Sequence, residues 1–162
     1  MRTSIIGLLL IGSILTLSLT ACGGAHTPAA PTPAATAQTV LAAFLAAGLP
    51  IADPVTFTPE TDPNHLLGRP HQYAAKLSWR DARVADSGEP GLDTGGTLEV
   101  FASPADRQTR QQYVEALAQA SSLFAEYTFA NGRLLLRLSS QLTPAQAEEY
   151  EAIFERMAGK GY

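Results

Sequence analysis

Two alternating apolar segments, 124–130 and 133–139, flank an Asn131-Gly132 pair, and that arrangement commits the C-terminal third of the chain to a β-hairpin. Asn-Gly is the favoured centre of a type I′ turn, because both central residues there need positive φ. Counting outward from such a turn pairs Phe129 with Leu134, Tyr127 with Leu136 and Ala125 with Leu138, which puts six apolar residues on one face. The opposite face then pairs Thr128 with Leu135 and sets Glu126 directly across from Arg137.

Helix signals bracket this hairpin. Ser103-Pro104-Ala105-Asp106 offers a cap, a proline at the first helical position and an acid in the first turn. It predicts a helix to about Ala120, with Tyr113, Val114, Leu117 and Ala120 on its apolar side. Thr143-Pro144-Ala145-Gln146 repeats the signal as a capping box, and Ala147, Tyr150, Phe154 and Met157 form the stripe of a last helix that stops at Gly159.

Upstream, 73–81 alternates so that Tyr73, Ala75, Leu77 and Trp79 face a core while Lys76, Ser78 and Arg80 face outward. A polar loop follows, and 97–102 reads as the next strand, with Leu98 and Val100 on one face. Thr39–Ala47 is a short apolar helix stopped by Gly48 and Pro50, and Val55-Thr56-Phe57 has the composition of a short edge strand. The order ββαββα after that first helix predicts an α+β domain with a four-stranded antiparallel sheet and two helices on one face. A circularly permuted ferredoxin-like sandwich is one arrangement with this order.

The N-terminus obeys different rules. Arg2 precedes an uncharged run from Ile5 to Leu19, too short to span a bilayer but suited to the apolar core of a signal peptide. The run ends in Leu19-Thr20-Ala21-Cys22, which resembles the lipobox of bacterial lipoproteins at every position. That resemblance implies cleavage before Cys22 and lipid on its thiol, the only one in the chain. It also implies a cell membrane location on the extracytoplasmic side, with the membrane as the first partner. Several acyl chains make such a tether stable where one would be marginal. The following Gly/Ala/Pro/Thr stretch has little to pack, so the chain divides into a signal segment 1–21, a lipidated tether 22–37 and a single domain 38–162.

The most idiosyncratic stretch is the loop Glu60–Tyr73. A long irregular loop on a rigid scaffold often carries recognition, and Asp62, Asn64, Arg69, Gln72 and Tyr73 are its candidate binding residues. Its plainest reading packs Leu66 and Leu67 into the core and pairs Arg69 with an acid. His65 and His71 match no metal-ligand spacing, and no cysteine in the domain joins them. The run ETDPN-x-LLGRP-x-QY, with GGTLEVF, NGRLLLRLS and LTPAQAEEYE, resembles an uncharacterised family of small bacterial surface lipoproteins. The family implies an envelope location and one domain, and no mechanism.

No nucleotide-binding, nucleophile-elbow or zinc motif is present. Glu148, Glu149, Glu151 and Glu155 share one helix and read as its solvated side, and Gly95-Gly96 precedes a strand, so it cannot cradle phosphate at a helix start. A net charge of -4 with 16% charged residues lacks the basic stripe of a nucleic-acid binder. The sequence therefore points to a non-enzymatic binding domain with no cofactor and a protein or envelope component as partner. A small-ligand module using the outer sheet face or the 60–72 loop is the alternative, which a pocket lined by Tyr73, Trp79 and Arg69 would favour.

Overall fold

A computed structural model describes residues 33–85 and 88–157. The signal segment, Cys22 and the first part of the tether lie outside the described residues. The chain runs α1 (Pro33–Ala46), β1 (Ile51–Thr56), β2 (Tyr73–Asp81), β3 (Gly95–Phe101), α2 (Pro104–Ala120), a 3-10 turn at Ser122–Phe124, β4 (Glu126–Asn131), β5 (Leu134–Ser139) and α3 (Pro144–Glu155). All neighbouring strands are antiparallel, and the sheet order is β1-β2-β3-β5-β4. The α+β class holds, with five strands where the sequence predicts four. The fifth is β1, an edge strand that starts four residues before the expected Val55 and tolerates Pro54 because its outer side needs no sheet donor.

The two sheet faces are covered differently. On one, the ladders Trp79–Gly96–Leu138 and Leu77–Leu98–Leu136 meet α1 and α3. Ala37, Val40, Leu41 and Phe44 supply the stripe of α1, and Ala147, Tyr150 and Phe154 that of α3, with Met157 in the turn just after it, all buried. On the other face, Glu99, Leu135 and Arg137 lie beneath α2, which reaches them through Arg110 and Val114. The expectation of two helices on one face, formed by the second and third, is therefore corrected. The pair sharing a face is α1 and α3, so the helix placement differs from that of a permuted ferredoxin-like sandwich. The reason is visible in α2, where only Val114 is buried and Tyr113 and Ala120 are exposed. A helix with so narrow an apolar stripe fits the polar side of the sheet.

Helix α1 begins at Pro33, six residues before the expected start at Thr39, and Thr36 and Ala37, assigned above to the tether, are buried. It closes on Gly48 at φ +81°, with the Leu49 amide donating to the Phe44 carbonyl. The caps of the other two helices form as their sequences require. Ser103 Oγ accepts from the Asp106 amide, and Thr143 and Gln146 complete a capping box.

The β4–β5 hairpin keeps the expected faces but not the expected register. Asn131 pairs with Leu134, Phe129 with Leu136 and Tyr127 with Leu138, a shift of two residues that places Gly132-Arg133 at the tip. Positive φ is confined to Gly132, at +53°, as a II′-type turn requires. Asn131 is drawn into the strand by its side chain, which donates to the Phe154 carbonyl at the end of α3 (2.8 Å, buried). Glu126 and Arg137 consequently meet on the diagonal, through two hydrogen bonds of 2.7 and 2.6 Å.

Candidate functional site

The face beneath α2 carries an unusual load of buried charge. Tyr73 belongs to it, contrary to the alternation read from the sequence. The register shifts between Tyr73 and Ala75, an irregularity that turns Tyr73 away from Ala75, Leu77 and Trp79 to pack with Leu67, Phe101 and Leu135. Lys76 and Ser78, expected to face solvent, are 5% and 1% exposed because the 57–72 loop and its surroundings cover them.

Asp62 is the hub of that loop. Its fully buried carboxylate accepts from Lys76 Nζ (2.8 Å), Tyr73 Oη (2.6 Å) and the amides of Leu66 (2.9 Å) and Leu67 (3.1 Å). Burial pushes its pKa up, but these donors outweigh burial and hold the carboxyl well below its usual range. Burial first, and then the Asp62 acceptor, push the Tyr73 hydroxyl in the opposite direction, above its usual value. Three short turns follow, closed by His65 N to Asp62 O, Arg69 N to Leu66 O and Gln72 N to Arg69 O. His65, Gly68 and His71 adopt positive φ to make them.

A second group continues across the same face. Glu99, fully buried, accepts from Arg110 at 3.1 and 3.2 Å and from Arg137 at 3.2 Å, and Arg137 also grips Glu126. Arg137 loses favour for its charged form through burial but gains more from Glu126 and Glu99, so its pKa is raised. Three acids (Asp62, Glu99, Glu126) thus balance three bases (Lys76, Arg110, Arg137) on one face. Each charge has a partner, which is the condition for tolerating it out of water.

Above this face runs a groove between α2 and the 57–72 loop. One cavity of about 350 Å³ is lined by Leu66, His71, Gln72, Thr109, Arg110 and Tyr113. A second of about 340 Å³ shares Leu66, Arg110 and Tyr113 with it and extends to Asn64 and Arg137. A third, about 280 Å³, continues from Asn64 and Arg137 to the 90–93 loop. Tyr113 is 56% exposed and its ring stacks near the Arg110 guanidinium, 5.6 Å from the centroid.

The five loop residues singled out from sequence therefore separate. Asn64 and Gln72 line the groove, whereas Asp62 and Tyr73 are buried beneath the loop that they hold. Arg69 is exposed and its guanidinium makes no ion pair among the described residues, so the expected pairing with an acid is not formed. Leu67 does enter the core side and Leu66 is half-buried. Tyr73, Trp79 and Arg69 do not share a pocket, since the first two are fully buried. Sequence reasoning missed Lys76, Glu99, Arg110 and Tyr113. The available signal was that Lys76/Ser78, Thr97/Glu99 and Arg137 occupy same-parity positions of three strands that turn out adjacent.

Among the described residues no three His, Cys, Asp or Glu side chains converge as a metal site would need, and no helix is long and apolar enough to cross a membrane. Comparison of the chain with protein-family models, curated proteins and solved structures finds no match to any of them. The resemblances drawn from the lipobox and the ETDPN motif therefore rest on the sequence residues alone.

Proposed function

We propose that this chain is a lipid-anchored extracytoplasmic lipoprotein whose domain is a non-enzymatic binding module for a protein or envelope component. The observation that carries the reading is the groove flanked by α2 and the 57–72 loop, with a large aromatic, Tyr113, exposed on its wall. Aromatic side chains standing proud of a rigid wall are typical contact points in interfaces. The acids beneath the groove are committed to neighbouring bases, which supports recognition over proton transfer as its task. Cys22, in its lipobox context, supplies the anchor.

The test is a photo-crosslinking residue in place of Tyr113 in the full chain, made in its own envelope. Capture of one stoichiometric protein partner supports the proposal. Capture of none, with the chain correctly lipidated, counts against it. The alternative, a small-ligand module, is favoured by one observation: the 350 Å³ cavity brings Gln72, Thr109 and His71 around an aromatic wall, a mixture suited to a small polar molecule.

A further inference from the structure

The two edges of the sheet are built on different principles. Edge strand β1 is blunted: its register with β2 breaks between Ala52 and Val55, Asp53 sits at φ +49°, and Pro54 has no amide proton to offer. These are devices that keep another strand from adding. Edge strand β4 has none of them. Its six residues pair with β5 without a register shift, and it contains no proline, glycine or lysine.

The hairpin geometry fixes which β4 groups point outward. In a two-residue hairpin, the pair flanking the tip is hydrogen-bonded, here Asn131 with Leu134, so Phe129 and Tyr127 also direct their amides and carbonyls at β5. Glu126, Thr128 and Ala130 then direct theirs away from the sheet. Among the described residues no hydrogen bond from another element reaches those backbone groups. Immediately before β4, Leu123 is 90% exposed and Phe124 52%.

We infer that β4 pairs antiparallel with β4 of a second copy of this chain, joining the two five-stranded sheets across a two-fold axis at Thr128. The outward groups leave one register centred within the strand in which all three residues are used: Thr128 opposite Thr128 of the second copy, and Glu126 opposite Ala130 in both directions. Such an interface is self-complementary, as a closed dimer requires. Side chains agree with it. The non-hydrogen-bonded positions set Tyr127 against Phe129 of the other copy, an aromatic cross-strand pair built from two half-buried rings. Glu126 meets Ala130, so no like charges stand opposite each other. The 3-10 turn that carries Leu123 and Phe124 precedes the end of β4 that this register sets nearest the hairpin tip of the second copy.

Cysteine placement in the full chain, made in its own envelope and mildly oxidised, tests both the dimer and its register. Residues opposite each other in a hydrogen-bonded antiparallel pair have Cα atoms about 5.5 Å apart, within disulfide reach. Thr128→Cys is expected to give a disulfide-linked dimer at least tenfold more abundant than Ala130→Cys, whose two copies lie roughly 13 Å apart along the strands. Thr128→Pro, which deletes an outward amide without touching the β5 ladder, is expected to leave the purified chain monomeric. Equal crosslinking of the two cysteine variants, or a monomeric unsubstituted chain at the concentrations used, would overturn the inference. The latter result would leave the edge to a strand from a different protein.

Discussion

Tyr73 reaches back eleven residues to donate its hydroxyl to Asp62 at 2.6 Å, and this bond staples the root of a loop to its most distant turn. The same carboxylate holds Lys76, so loop and sheet share one electrostatic fastening. Removing the anion would leave an ammonium 5% exposed without a counter-charge. Asp62→Ala is expected to destabilise the fold by about 3–5 kcal/mol, read as a shift in urea midpoint. A loss below about 1 kcal/mol would show that Lys76 finds water or another partner.

Tyr73→Phe keeps the ring against Phe101 and deletes only the hydroxyl. A hydrogen bond to a charged acceptor contributes about 1.5–3 kcal/mol, and a loss in that range is expected on thermal unfolding. The amides of Leu66 and Leu67 remain on Asp62, so the loop should keep its course. Proteolysis that begins within 62–72 in this variant would contradict that.

Acid should weaken the domain in a defined window. Asp81 is held below its ordinary pKa like Asp62: burial raises it, but hydrogen bonds from Arg83 and Tyr150 more than offset that. Both groups keep their charge in the folded chain at a pH where the unfolded chain, with an ordinary value of 3.8, takes up protons. Their stabilisation is therefore complete above that value and is lost as pH falls below it. Unfolding free energy is expected to be flat from pH 7 to 5 and to drop between pH 4 and 2. Asp62→Asn should flatten that drop, and an unchanged slope would assign it to other carboxylates.

Gly96 is required by Trp79. A Cβ there would lie 2.5 Å from the indole Cζ2 and 2.8 Å from a Leu138 methyl, both deep in the core. Gly96→Ala is expected to cost about 1–3 kcal/mol by overpacking. Trp79 is the chain's one tryptophan, and it stacks on Tyr150 and donates to its hydroxyl. Its emission should therefore report the displacement directly.

Tyr113→Ala separates binding from folding. The ring is more than half exposed, with the Arg110 guanidinium 5.6 Å from its centroid. Stability should change by less than about 0.5 kcal/mol, while recovery of the envelope partner falls at least tenfold. Full recovery would move the interface off the α2 wall.

Local rules carried much of the architecture. The starts of α2 and α3, the stripe of α3 and the two faces of the hairpin follow from spacing and caps alone. What escaped were features decided by residues far apart in the chain. The hairpin register depends on Asn131 finding the Phe154 carbonyl, 23 positions away, which no reading of a turn dipeptide contains. Tyr73 changes face because the ladder to β3 slips beside it. Lys76 and Ser78 read as solvent-facing because alternation separates two faces without saying what covers each. The loop stands out by its odd composition, yet two of its five candidate residues, Asp62 and Tyr73, serve the loop itself, and the groove wall on α2 presents Tyr113, which helical spacing alone places on an apolar side.

The early start of α1 at Pro33 sets a length scale. Between Cys22 and Pro33 there are eleven Cα–Cα steps, a span of at most about 40 Å however the intervening residues run. A lipid on Cys22 would thus hold the first turn of the domain on a short leash. Any partner would be met no farther from the bilayer than that leash plus the domain's own width, and a molecule standing farther out would have to come down to it.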